Sequence, residues 1–317
     1  MIRQTATLLA ALSLAACLDG KNPLVDTGPA PDDPNALDLP PGTERPTSRT
    51  TIERHEGKED GTGNGYAESI TYDPVNDTFT VDNLAFDGGN TYSRDTLVPN
   101  LGAFRVYEND GVYFDDVTGN PILQFMHRAI IDEGASGKTH VAIVRTGAYV
   151  GYGFGGFLYS RDGGVDIPAT GQAIFAGDYS GIRDFNGKGG LEYVTGNATA
   201  QIDFEDFNDG DGVLFMIRNR KVFNAAGVDI TASLSPDMVA DLTNKVGPQM
   251  ANEAGEISLR LIAHDGAGTV FGDAGVFYGL LAGQGADMEL VGVVVVGGTD
   301  SRDGFEYRET GGVILER

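Results

Sequence analysis

Between Gly275 and Val296 the chain reads GVFYGLLAGQGADMELVGVVVV, and this stretch limits the fold more tightly than any other. Counted by twos, Gly275, Phe277, Gly279, Leu281 and Gly283 share one face of an extended strand. Large side chains and bare backbone alternate on that face, as they do where side chains interdigitate inside a small barrel. Gln284-Gly285-Ala286-Asp287 supplies a turn, and Glu289 to Val296 returns as a strand rich in β-branched residues. The same device recurs at Ala173, Phe175, Gly177, Tyr179 and Gly181, and Leu191, Tyr193 and Thr195 continue it. Ala200, Ile202 and Phe204 alternate with Gln201, Asp203 and Glu205, and the turn from Asn208 to Gly212 leads into Val213 to Phe223. Its two Asp-Gly pairs are hairpin chemistry. Strand-like runs at 172–183, 190–195, 199–206, 213–222, 256–264, 269–282, 286–296 and 311–316 make about eight strands. Side chains fill the interior of a barrel of that size.

One helix is predicted, from Pro236 to Lys245. Ser235 suits the N-cap, Pro236 the first helical position and Asp237 the positive helix end, with Met238, Val239 and Leu242 as the apolar stripe. Such a helix would lie on the barrel as a lid or insertion.

Upstream, residues 66–165 read as a first antiparallel β region. Asp77 to Phe86 places Phe79 and Val81 on one face, after the turn Asp73-Pro74-Val75-Asn76. Ile122 to Ile131 and Thr139 to Val150 are two further apolar runs, separated by Asp132 to Lys138 and followed by Gly151 to Tyr159. The fold class is therefore all-β, with an antiparallel, handle-like β region, a C-terminal barrel of roughly eight strands over 171–317, and one short helix.

The first residues have a different character. Arg3 precedes an apolar run, Ala6 to Leu14, that is too short to span a bilayer as a helix, and the run ends in Leu14-Ala15-Ala16-Cys17. Cys17 is the one cysteine of the chain. The pattern resembles the lipobox of bacterial lipoproteins, which implies a signal peptide over 1–16 and acylation of Cys17, a firm membrane anchor. Leu18, and not an acid, follows the cysteine, which points to the outer membrane. Residues 17–65 then read as a tether, with Pro at 29, 31, 34, 40, 41 and 46 opposing both helix and ladder. Drawn out at ~3.1 Å per residue it reaches on the order of 100 Å.

Acids outnumber bases by 46 to 22 in the 317 residues, a formal charge of -24 with pI near 4.3. Such a surface disfavours nucleic acid and anionic lipid, is self-repelling as suits a monomer, and leaves the acyl anchor as the only membrane contact.

Several motifs bear on chemistry. Gly151-Tyr152-Gly153-Phe154-Gly155-Gly156 matches a dinucleotide pattern, but Phe157-Leu158-Tyr159 continues as strand where the cofactor fingerprint turns into a helix. Gly137-Lys138-Thr139 lacks the upstream glycine of a phosphate loop and reads as a hairpin turn. Asp203 to Gly212 gathers five acids, yet no frame gives the oxygen spacing and sixth-position glycine of a calcium loop, so it reads as an acidic turn in which a weak calcium site stays open. The four histidines, His55, His127, His140 and His264, form no zinc motif, though His127 and His140 are placed to face each other across the predicted hairpin. No nucleophile elbow occurs and no carboxylate pair stands out, so no catalytic residue, metal ligand or cofactor is assigned.

FGDAGVFYGLLAGQGADMELVGVVV at 271–295 and GDYSGIRDFNGKGGLEY within 171–207, with DTFTVDNLAF and IVRTGAYVGYGFGGFLY, resemble the transferrin-binding protein B and factor H-binding protein group of surface lipoproteins. The likeness covers most of 66–317 and is closest to the short, single-lobe, solute-binding members. It implies one handle-plus-barrel lobe, display on the cell surface by an outer-membrane lipoprotein translocator, and capture of a protein or small solute, iron-related or otherwise, without catalysis. Transferrin-binding members carry two such lobes, and no ligand-contacting loop of either namesake can be matched here. Two other readings remain open: a periplasm-facing structural or assembly lipoprotein, and a hydrolase with an unrecognised carboxylate site.

Overall fold

The computed structural model describes residues 51–317 apart from 57–66, 68, 83–90, 110–112, 115–116, 120, 123–126, 148–150, 208, 246 and 248–249. The expected signal peptide, Cys17, most of the tether and parts of the runs ending at Phe86, beginning at Ile122 and ending at Val150 lie outside the described residues.

Among the described residues the N-terminal region holds eleven strands. They are β1 (Ile52–His55), β2 (Ser69–Asp73), β3 (Thr78–Asp82), β4 (Thr91–Arg94), β5 (Asn100–Leu101), β6 (Phe104–Asn109), β7 (Tyr113–Phe114), β8 (Pro121–Ile122), β9 (His127–Glu133), β10 (Thr139–Thr146) and β11 (Gly155–Arg161). The main sheet runs β1-β11-β10-β9-β6-β4-β3-β2, with β5 on β6, while β7 and β8 pair with each other. β1 lies inside the stretch expected to be tether, so the folded part begins earlier than position 66. Phe79 and Val81 are buried together on one face of β3, as their alternation predicts. Gly155–Arg161 is a strand paired with β10, and no helix follows the glycines. His127 and His140 do not face each other: His127 is opposite Thr146, whereas His140 is opposite Glu133, at the two ends of the hairpin. The turn is shorter than predicted, because Asp132 and Glu133 still belong to β9.

The barrel follows a short strand, β12 (Val165–Asp166), that runs parallel to Gly283 and Gln284. Its staves are β13 (Gln172–Phe185), β14 (Glu192–Asp203), β15 (Val213–Asn224), β16 (Asp241–Asn244), β17 (Glu256–His264), β18 (Val270–Gln284), β19 (Glu289–Thr299) and β20 (Glu306–Glu316). Each is antiparallel to the next, and β20 pairs back onto β13, closing an eight-stranded up-and-down barrel. The predicted helix is corrected: Pro236–Val239 is a single 3-10 turn, and Asp241–Asn244 is a strand between β15 and β17. Leu242 and Asn244 point inward at a spacing of two, and Asn244 completes the short β15–β16 seam by accepting from the Phe215 amide (2.8 Å) and donating to the Val213 carbonyl (3.1 Å). The runs at 190–195 and 199–206 are one strand, bulged between Thr195 and Asn197.

The lumen is packed. Phe175, Tyr179, Val194, Phe215, Ile217, Leu259, Phe277, Leu290 and Val294 belong to one buried cluster. Phe215 and Phe277 stack there at 4.0 Å and 7°. The glycines make room for the rings. A Cβ at Gly279 would stand 2.7 Å from Phe277, and one at Gly311 would overlap the Tyr179 ring. Tyr193 and Leu191 depart from the expected lumen face and point outward, into the seam with the N-terminal sheet.

That seam welds the two parts. Phe104, Val106, Ile130, Val141, Ile143 and Phe157 pack on Ile182, Tyr278, Leu280, Val291, Val293 and Val295 of the barrel's outer face. Buried ion pairs and hydrogen bonds pin its margins. Arg54 donates to Glu256 at 2.6 Å, and Glu289 accepts from Thr139 (2.6 Å) and Ser136 (2.8 Å). The Arg308–Asp184 pair of the barrel (2.5 Å) and the Arg145–Glu56 pair of the N-terminal region (2.8 Å) meet there, with Arg308 3.7 Å from Glu56 and Arg145 donating to Thr310 at 2.7 Å.

Candidate functional site

An up-and-down barrel collects its connections at two rims. One rim, here the upper, holds the β13–β14, β15–β16, β17–β18 and β19–β20 connections; the other holds the remaining three and the C-terminus. The described chain starts at the lower rim. Thr51 accepts from the Gly163 amide, Arg161 donates to the Leu281 carbonyl, and Val165 lies opposite Gly283. β1 then runs upward, from Arg54 beside Glu256 to Glu56 beside Arg145 and Arg308.

Five of the nine large apolar side chains exposed among the described residues gather at or beside the upper rim: Leu97 (68%), Val228 (57%), Val270 (58%), Phe271 (42%) and Phe305 (41%). Leu97 comes from the N-terminal sheet, yet its loop touches the barrel, since a Cβ at Gly227 would meet Val98 at 3.0 Å. Exposed apolar groups grouped on several loops mark interaction surfaces more often than scattered ones do.

These loops are held rigidly by short polar side chains. Asp95 accepts from the Leu97 and Val98 amides and is itself held by Arg128 at 3.1 Å. Asn224 accepts from the Ala226 and Val228 amides, Asp265 from Ala267 and Thr269, Asp300 from Arg302, and Asp303 from Phe305. Each of these acceptors bonds the amide two residues on, the local bond that stabilises turns. Backbone donors from Thr269 foremost hold Asp265 below the usual carboxylate range, and the Lys188 ammonium foremost does so for Asp303. Burial would raise Asp300, but donors on Arg302 outweigh it and hold it at about 2. Part of the acidic surplus thus serves as turn chemistry.

Beneath the rim lies a buried ion cluster. Glu309 accepts from Tyr179 (2.7 Å), Arg183 (2.8 Å) and Arg220 (2.6 Å). Burial would raise its pKa, yet the Arg220 and Arg183 charges outweigh burial and hold it at about 2. The guanidiniums reach onward: Arg183 donates to the Met238 carbonyl and Arg220 to that of Ala240, seating the 3-10 turn over the barrel mouth. Ser301 donates to the Met238 sulfur and Asn186 to Glu306, so three of the four rim loops are interlocked. The mouth is sealed by charge, and the lumen below it by aromatic rings.

Sequence reasoning placed Pro236 and Met238 in a lid or insertion on the barrel, but it marked neither the exposed apolar rim residues nor the Arg183, Arg220 and Glu309 cluster as a site. Among the described residues no group of three or more His, Cys, Asp or Glu side chains is placed to hold a metal ion. In the acidic 203–212 turn, Asp203 instead accepts from Gln172 and the Glu205 amide.

No protein-family model matches the chain, and no curated protein matches it. Solved structures do. The chain is similar to a double mutant of the vaccine antigen Transferrin Binding Protein B (TbpB) from Haemophilus parasuis, at 11% identity over 85% of this chain and 46% of that one, with a TM-score of 0.36. It is also similar to intact Ap-TbpB, N and C lobes, at 12% identity over 86% of this chain and 48% of that one, with a TM-score of 0.35. The chain spans about half the length of these proteins.

Proposed function

We propose that this chain is a non-enzymatic binding module, acylated at Cys17, held by its tether on the outer face of an outer membrane, and docking a protein partner on the upper rim. The observation that carries the reading is the polarity of the fold. The described chain enters at the lower rim, while the exposed Leu97, Val228, Val270, Phe271 and Phe305 lie at the other end. A lumen occupied by stacked rings and a mouth covered by the 236–240 segment favour binding on loops over capture of a small solute inside. Loops clamped by Asp95, Asn224, Asp265 and Asp300 suit a docking surface, because little order remains to be imposed on binding.

Pull-down with the tether-deleted domain tests this. The V228S/F305S variant should lose the captured partner, whereas I174S/L214S, which removes exposed apolar groups from the lower barrel wall, should retain it. Capture unchanged by the rim substitutions would refute rim docking.

A further inference from the structure

The rim also indicates what kind of surface it fits, an inference that rests on the rim-docking reading above. The four upper connections together with Glu306 carry six acids, Asp229, Asp237, Asp265, Asp300, Asp303 and Glu306, against two bases, Lys188 and Arg302, a net of -4. Both bases are already engaged. Lys188 pairs with Asp303 and Asp300, and Arg302 pairs with Asp300 and Glu192 at 2.6 Å. Among the described residues no salt bridge engages Asp229, Asp237, Asp265 or Glu306, and Lys221 adds only a longer-range attraction to Asp229. Asp265 accepts from the Ala267 and Thr269 amides and the neutral Thr269 side chain, Glu306 from the neutral Asn186, and Asp229 from the Thr231 amide and neutral side chain. The surface therefore offers apolar contacts, Val228, Phe305, Val270 and Phe271, among acids of which four stand outside any salt bridge.

We infer that the partner is a protein presenting lysines or arginines around an apolar side chain. Complementary potential at such a contact steers encounter and rejects like-charged competitors. The same field opposes anionic lipid and nucleic acid. An acidic protein partner would meet uncompensated repulsion from at least four carboxylates around the apolar centre.

The lower rim supplies the control, because it is acidic as well. Glu205, Asp206, Asp209 and Asp211 crowd the β14–β15 turn. Attraction by bulk charge would make the two rims equivalent, whereas the inference makes only the upper one matter. The full chain is titrated by fluorescence anisotropy with two labelled 12-residue amphipathic peptides, one of Lys and Phe, the other of Glu and Phe. The Lys/Phe peptide should bind, more weakly as salt rises, and the Glu/Phe peptide should not. D229N/D237N/D265N/E306Q should weaken Lys/Phe binding about tenfold, as expected if four surface charges each contribute a few tenths of a kcal/mol. E205Q/D206N/D209N/D211N changes net charge equally and should alter binding less than twofold. V228S/F305S should weaken it about tenfold.

Equal losses from the two amide quartets would overturn the inference by showing bulk attraction alone. If V228S/F305S weakens binding while the upper quartet does not, or if the Glu/Phe peptide binds as tightly, the cationic assignment fails and rim docking survives. If no rim substitution matters, both fail together.

Discussion

Replacing Glu309 by glutamine should unseat the upper rim without touching any exposed residue. The carboxylate is fully buried and satisfies three donors, Tyr179, Arg183 and Arg220, at 2.6–2.8 Å. E309Q keeps the size of the side chain but leaves two buried guanidiniums facing no anion on this side. Removing one partner of a buried ion pair costs about 3–5 kcal/mol, because the remaining charge is desolvated and unpaired. The loss should show in urea unfolding of the C17S chain, followed by tyrosine fluorescence since the chain has no Trp. It should also show locally, as faster hydrogen exchange at 236–240 and 300–305, because Arg183 and Arg220 carry the Met238 and Ala240 carbonyls. Apolar replacement of the whole cluster, R183M/R220M/E309L, often restores stability in such cases. Here it should not restore it fully, because the two carbonyls lose their donors, at about 1–3 kcal/mol each. An E309Q variant within about 1 kcal/mol of the parent, or a triple variant as stable as the parent, would refute the claim that this cluster seats the rim.

Other outcomes follow from the same packing. G292A should destabilise by about 3 kcal/mol, since its Cβ would stand 2.6 Å from the Phe277 ring and overlap the Tyr278 carbonyl, while the exposed G297A on the same strand should cost less than about 1 kcal/mol by thermal unfolding. Asp132, near the end of β9 and close to Asp178, has its pKa raised to about 6, chiefly by burial. Its folded value lies above its unfolded one, so its contribution is present below pH ~4 and lost as pH rises through 6. D132N should therefore flatten the decline in stability between pH 4 and 6 and leave the chain about 1–2 kcal/mol more stable at pH 7, after allowance for its partial exposure.

The barrel was legible because its signal is steric. Gly279 and Gly311 stand where rings need backbone-only neighbours, Gly275 stands where the backbone of the next strand comes too close for a Cβ, and a spacing of two survives any tertiary detail. The expected number of barrel strands also agrees with the structure, but through two offsetting differences. Gly196 at the bulge of β14 made one strand read as two, and Ser235-Pro236-Asp237, which caps only a 3-10 turn, made β16 read as helix. β16 is four residues long, too short to show its alternation against a strong cap signature. β1 escaped notice because one of its inward residues is Arg54, buried only because Glu256 arrives from 202 positions away. The rim shows the same limit. Leu97, Val228 and Phe305 are unremarkable singly, and only the meander, with the N-terminal sheet welded to it, brings them to one end. Charged residues read as surface by default, so the cluster of Arg183, Arg220 and Glu309 had no signature in the sequence.

A rim that faces outward, away from an anchored lower end, is open to reagents that cannot cross a membrane. Intact cells displaying the lipid-anchored chain with V228C are treated with a membrane-impermeant maleimide, before and after lysis. The exposed position of Val228 predicts full labelling before lysis, with no increase afterwards. Labelling that appears only after lysis would place the rim inside the cell envelope and contradict the account.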